Sequence, residues 1–235
     1  MRVLDQLEPK RVFSFFEDLC AIPHGSGNTK AISDYCVKFA HDRGLEVHQD
    51  SLNNVVIVKP ATPGYEAAPT VIVQGHLDMV TEKMPESTIN FLTDGLELMV
   101  DGDFVRAKGT TLGGDDGIAV AMALTVLDSD DLAHPRLECL FTVDEETGMD
   151  GAVGFDASVL EGKRLLNIDS EEEGILTVSC AGGAHAAAHI EMHANECALD
   201  SAEIRISGLK GGHSGAEIDK GRANATITLG RVLQA

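Results

Sequence analysis

The stretch "VIVQGHLDMV", residues 71–80, constrains the fold more than any other part of the chain. Val71, Ile72 and Val73 read as a buried β-strand, a short apolar run rich in β-branched residues. The run then gives way to His76 and, two residues on, Asp78. In an extended chain this spacing puts an imidazole and a carboxylate on one face. The pattern returns twice: "LECLFTVDEE" ends on Glu145 and Glu146, and "RLLNIDS" contains Asp169 at its end. Helical patterns lie between these strands. The clearest is "IAVAMALTVLDS", opened by the glycine-rich "GTTLGGDDG". Strands alternating with helices predict an α/β fold, with a mostly parallel central sheet and flanking helices. Reactive groups of such sheets gather at the carboxyl ends of the strands, and the polar residues named above fall there.

The remaining segments fit around this frame. Lys10 to Ile22 reads as a helix, stopped by Pro23 and the loop "HGSGN". A second helix is predicted from Thr29 to Arg43, with Asn28 as N-cap and Gly44 just past its end. "LEVHQDS" and "NVVIVKP" around Asn53-Asn54 predict a hairpin, and Asp101-Gly102 marks another. After Ala181 the texture changes. "AGGAHAAAHIEMHANE" and "SAEIRISGLKGG" read as strands of a different sheet, followed by a helix from about Asp219. One domain is expected over residues 1–182 and the start of a smaller one over 183–235.

Composition narrows the function. The chain carries 38 acidic and 18 basic residues, a net charge of −20. Such a surface repels phosphate backbones and anionic lipid, so neither nucleic acid nor membrane is an expected partner. No segment approaches the roughly 20 apolar residues of a membrane span. "MRVLDQLEPKR" lacks the apolar core of a signal peptide. The five cysteines are odd in number, scattered, and never spaced C-x-x-C, which suits buried, reduced thiols in a cytoplasmic protein.

His76, Asp78, Asp115, Glu145, Glu146 and Asp169 together make a hard-to-borderline ligand set, suited to zinc, manganese or cobalt. Asp78 can orient the His76 ring from behind. Glu145 and Glu146 are adjacent, so in an extended segment they point apart, one to a metal and one to a proton-transfer role. His185, His189 and His193 recur every fourth residue, a metal stripe if helical, but their even spacing also puts them on one strand face, and that reading is adopted. "GTTLGGDDG" lacks the Gly-Lys-Ser/Thr of a phosphate loop. Glu171, Glu172 and Glu173 read as a solvated run, with attraction of a substrate's free amino group as the alternative.

Along nearly the whole chain run "IPH", "KPAT", "HLDMV", "RAKGTTLGGDDGIAVAMAL", "EETGMDGA", "NIDSEEEG", "CAGG" and "LKGGHSG". As an ordered set they resemble the aminoacyl-histidine dipeptidases, the bacterial carnosinase-like enzymes of the di-zinc exopeptidase clan. The resemblance implies a zinc-exopeptidase-like fold with a smaller α+β lid domain beginning at about residue 183. It implies hydrolysis of Xaa-His and other unblocked dipeptides by a water bridging two divalent metals. Zinc is the expected ion, with manganese or cobalt as alternatives. His76 and Asp169 would be terminal ligands of the first metal, Asp115 the bridge, and Glu146 a ligand of the second. Asp78 would brace His76, Glu145 would be the general base, and His213 would stabilise the oxyanion. Asp116 departs from the asparagine usual at its position, and the Asp115–Asp116 peptide is expected to be cis. Family members are about twice this length and carry a second-metal histidine near their end. The chain therefore reads as an N-terminal half whose second metal lacks a histidine. A non-catalytic metal-binding fragment and an N-acyl amino acid hydrolase are the alternatives. The expected partner is a small dipeptide substrate, and a homodimer is the candidate assembly.

Overall fold

Apolar periodicity builds the first helices of the computed structural model, which describes residues 2–170, 173–180, 182, 186–193, 201–212 and 217–234. The chain forms two compact units, Met1–Leu176 and Thr177–Ala235.

In the first unit, α1 (Lys10–Cys20) buries Val12, Phe16, Leu19 and Cys20, which fall on one face at helical spacing. Helix α2 (Lys30–Asp42) ends in a Schellman arrangement. Gly44 takes φ +65°, its N–H donates to the His41 carbonyl at 3.1 Å, and the Leu45 N–H reaches Ala40 at 3.0 Å. The N-cap position is Thr29, not Asn28. The Asn28 amide donates instead to the carbonyls of Phe91 and Leu92, at 3.4 and 3.3 Å.

Strands β1 (Glu46–Gln49) and β2 (Val55–Lys59) form the expected hairpin, with Asn53 at φ +79° in its turn. Strand β3 (Val71–His76) follows. A separate hairpin joins β4 (Leu98–Asp101) and β5 (Phe104–Ala107). Asp101 pairs with Phe104, so the turn is Gly102-Asp103, one residue later than Asp101-Gly102. Then come α3 (Gly114–Asp128), β6 (Leu137–Thr142), α4 (Glu145–Gly148), α5 (Asp150–Gly154) and β7 (Arg164–Asn167).

The sheet runs β1-β2-β6-β3-β7. Strand β3 lies parallel to both β6 and β7, whereas β2 is antiparallel to β6 and to β1. The sheet is therefore mixed, and parallel only over β6-β3-β7, where a mostly parallel sheet was expected. A tight turn joins only antiparallel strands, so the β1–β2 hairpin enters as an antiparallel edge.

Side chains of the central strands divide by parity. Val55, Ile57, Cys139 and Phe141 join the core beneath α1, α2 and α3. Val56, Val58, Ile72 and Leu140 face the other way, against Phe155 and Leu160. Helix α3 is apolar on several sides and packs between α1 and β3. A Cβ on its Gly117 would lie 3.2 Å from the Phe16 ring, so the glycine permits that approach. Cys20, Cys36 and Cys139 are buried as expected, and burial pushes the Cys20 and Cys139 thiols up to about 12. Cys180 is exposed, contrary to the expectation for all the cysteines, and Cys197 lies outside the described residues.

In the second unit a short 3-10 turn, Ile218–Lys220, stops at Gly221, which takes φ +59°. Helix α6 (Ala225–Gln234) begins only after it, where Asn224 Oδ1 accepts the Ile227 N–H at 2.9 Å. The helix therefore starts later than Asp219. The stretches expected as strands carry none among the described residues 186–193 and 201–212, and their side chains are mostly exposed. A strand needs a neighbour to take its N–H and C=O groups, and the described part of this unit provides none. His189 and His193 are exposed there, and His185 lies outside the described residues.

Phe141 is fully buried on the core face of β6. Phe141→Ala is expected to cost about 3–5 kcal/mol of unfolding free energy. Urea titration followed by circular dichroism measures it, and a loss below about 1 kcal/mol would contradict this packing.

Candidate metal centre

Parallel pairing sets the frame of the site. His76 is level with Thr142 on β6, and Gln74 is level with Asn167 on β7. The carboxyl ends of all three strands therefore share one edge of the sheet. Beyond those ends lie Asp78, the α4 turn with Glu145 and Glu146, and Asp169. Helix α3 begins at the same edge and contributes Asp115 and Asp116.

Helix α3 approaches β3 so closely that a Cβ on Gly75 would meet Asp116 Oδ2 at 2.6 Å and Ala119 Cβ at 3.2 Å. Asp116 is buried, and its Oδ2 accepts the backbone N–H of His76 at 3.1 Å. The peptide between Asp115 and Asp116 is cis, as expected.

Asp78 is buried against the same edge. Its carboxylate accepts the Ser26 hydroxyl at 2.7 Å, the Glu145 N–H at 3.1 Å and the Glu146 N–H at 3.3 Å. His76 Nδ1 lies 3.0 Å from the Asp78 carbonyl and 3.4 Å from its carboxylate. Burial opposes the Asp78 charge, but the bonds from His76, Ser26 and Glu145 outweigh it and hold the pKa at about 2.

The Nδ1 contact fixes the His76 tautomer. A carbonyl oxygen only accepts, so Nδ1 carries the proton. In the neutral ring, Nε2 then turns a lone pair toward Asp115 Oδ1, 3.0 Å away. Two acceptors at that distance need something positive between them, a proton or a cation. Without a cation the ring takes the proton: burial disfavours the imidazolium, yet Asp115 and Asp78 raise its pKa to about 11. A divalent ion meets the same need, and a borderline imidazole with hard carboxylates is the donor set such ions take. The residues present fit a metal.

The donor atoms fall into two groups, each lying within 4.8 Å: His76, Asp115 and Glu146, and Asp115, Asp116 and Asp169. Asp115 is common to both. The resemblance pairs His76 with Asp169. Among the described residues, the close donor groups place His76 with Asp115 and Glu146, and Asp169 with Asp115 and Asp116. Glu145 and Glu146 also differ from expectation, since they occupy the first turn of a helix and not an extended segment. The helical turn still separates them. Glu146 joins His76, while Glu145 lines a cavity of about 220 Å³ with Asp169, Gln74, Thr142, Phe155 and Leu165. Burial, with the neighbouring carboxylates, raises the pKa of Glu145 and of Glu146 above the usual carboxylate range. Burial likewise pushes Asp116 up to about 7. His213 and its "KGGHSG" neighbours through Gly215 lie outside the described residues, and so do Glu171 and Glu172.

Two contacts escaped the sequence reading. Asp116 stands out in the sequence only as added charge, and Ser26 is one polar residue in a loop. The glycine preceding His76 was a usable signal for Asp116, because a strand glycine marks a close approach.

This sheet with its strand-end donors has the zinc-exopeptidase-like α/β fold. A tripeptidase from Staphylococcus aureus shares it at a TM-score of 0.58 and 23% identity, over 69% of this chain and 44% of that one, a likeness of fold alone. No family model matches the chain. The cytosol non-specific dipeptidase of Escherichia coli is 41% identical over 235 residues, 99% of this chain and 48% of that protein. The aminoacylhistidine dipeptidase of Vibrio alginolyticus matches at a TM-score of 0.76 and 40% identity, over 98% of this chain and 47% of that one. The chain is a relative of the aminoacylhistidine dipeptidases, and it spans about half the length of the relatives it matches.

Gly75→Ala places a methyl group against Asp116 and Ala119. It is expected to cost about 1–3 kcal/mol, seen as a lower Tm by calorimetry. An unchanged Tm would mean that α3 and β3 are not in this contact.

Proposed function

We propose that the chain carries part of the catalytic centre of a metal-dependent dipeptidase acting on Xaa-His and other unblocked dipeptides in the cytoplasm. The observation that carries this reading is the presence of Asp115 in both donor groups, the arrangement a bridging carboxylate requires. His76, Asp115, Glu146, Asp116 and Asp169 would hold two divalent ions, zinc by preference, with manganese or cobalt in its place. When bound, such ions supply a Lewis acid for the peptide carbonyl and lower the pKa of water.

The residues of the chain do the rest. Asp78 keeps His76 in its Nδ1–H tautomer and leaves Nε2 available as a donor atom. The raised pKa of Glu145 suits a general base. Its carboxylate accepts a proton from the attacking water and returns it to the leaving amide nitrogen. His213 is assigned, by resemblance, to stabilising the oxyanion.

A second reading has its own support. The chain spans half of its relatives, and among the described residues the donor groups contain one histidine. On that reading this polypeptide binds metal without turning over substrate.

Zinc stoichiometry and a dipeptide assay on the 235-residue chain separate the two. Two zinc ions per chain with hydrolysis support the dipeptidase, and bound metal without hydrolysis supports the fragment. In an active form, Glu145→Gln is expected to lower kcat by about 10²–10⁴-fold with metal content unchanged. Full activity in that variant would remove Glu145 from the role of base.

A further inference from the structure

The loop between α1 and α2 has no part in the chemistry above, yet it reaches the site through one hydroxyl. Ser26 Oγ donates to Asp78 Oδ2 at 2.7 Å. A carboxylate has about four acceptor positions. At Asp78 they are met by Ser26, the N–H groups of Glu145 and Glu146, and the His76 ring. Three of these four partners belong to residues of the candidate centre. Ser26 is the fourth, and its bond is the shortest.

The loop that presents this hydroxyl is tied down on both sides. The Ser26 N–H donates to the Met79 carbonyl at 3.3 Å, and Met79 N–H donates to His24 at 3.1 Å. These bonds register the loop on the segment that leaves β3. A Cβ on Gly25 would meet Thr81 Cγ2 at 2.4 Å, so the loop lies directly on that segment. On the other side, Gly27 N–H donates to Asp144 Oδ1 at 2.6 Å, and Asp144 is the residue before α4. The hydroxyl is therefore held in register with the β3 exit and the α4 entry at once.

The geometry points to Ser26 as a positioning residue. Its hydroxyl holds the Asp78 carboxylate in the orientation that serves the His76 ring and the α4 turn together, and so sets how His76 and Glu146 face each other. This rests on the metal-centre reading above. An O–H···O⁻ bond is about twice as strong as a neutral one. Without it, Oδ2 keeps, among the described residues, only the 3.3 Å contact from Glu146, and the carboxylate can turn away from the ring.

The test uses the 235-residue chain with Co²⁺ as probe. Wild type, Ser26→Ala and Ser26→Thr are compared by competition titration, by the visible spectrum of bound Co²⁺, and by the ring ¹⁵N shifts of His76. Loss of an outer partner of a metal-binding histidine typically weakens affinity about 10–100-fold. Ser26 acts one step further out, so Ser26→Ala is expected at about the tenfold end of that range, with a displaced Co²⁺ band and displaced ring ¹⁵N shifts of His76. Ser26→Thr keeps the hydroxyl and is expected to restore all three. Wild-type affinity and spectrum in Ser26→Ala would overturn the inference, as would a lower Tm with metal binding untouched, which marks a purely structural serine. Should the alanine variant not fold, Ser26→Cys, a weak donor, takes its place with the same opposed outcomes. A wild-type chain that binds no Co²⁺ overturns the metal-centre reading and this inference with it.

Discussion

Asp78 is a buried carboxylate whose charge is met on every side by donors, and the functional edge of the sheet depends on that bonding. An ionised carboxyl removed from water is costly unless it is bonded. Here the donors come from the β3 end, the α1–α2 loop and the start of α4. Three segments distant in sequence are thus fixed to one another by a group that cannot turn to solvent for substitutes. The direction of the Glu145–Glu146 turn and the seat of the "HGSG" loop are consequences of one satisfied charge, and the carbonyl of the same residue fixes the His76 tautomer.

A few ångströms away the electrostatics reverse. Asp115, Asp116, Asp169, Glu145 and Glu146 lie near enough to repel, and burial together with that repulsion raises the pKa of Asp116, Glu145 and Glu146. Two like charges 4 Å apart repel by about 4 kcal/mol at an effective dielectric constant of 20. The chain as a whole carries −20, so its wider field offers no relief. A divalent cation turns this repulsion into attraction. The contrast between one carboxylate enclosed by donors and a set of carboxylates crowded against one another is what separates the scaffold of the site from its working part.

The sequence carried much of this arrangement and missed part of it for identifiable reasons. His76, Asp78, Glu145, Glu146 and Asp169 were legible because each stands where an apolar strand pattern breaks, and that break survives in one dimension. The α2 ending was legible because Gly44 leaves few conformations open. The mixed sheet was not, since a β2 strand buried on both faces reads the same whichever way its neighbour runs. The short α4 turn was hidden, as four residues are too few to display a period. The association of His76 with Glu146, and of Asp169 with Asp116, depends on side-chain directions that no spacing rule encodes. Ser26 was invisible for another reason: its partner is fifty-two positions away, and a lone serine in a loop looks like any other.

Helix α3 is a wedge with glycines at both of its contacts. Gly117 lets Phe16 of α1 come close, and Gly75 lets Asp116 reach β3. The separation of His76 from Asp115 is therefore gauged by the thickness of a packed layer. A layer of close-packed side chains is nearly incompressible. Bulk added on the far side of α3, against α1, would push the helix toward the sheet and reach the donors as a displacement. The hydrophobic core thus serves as the calibration of the site as well as its support.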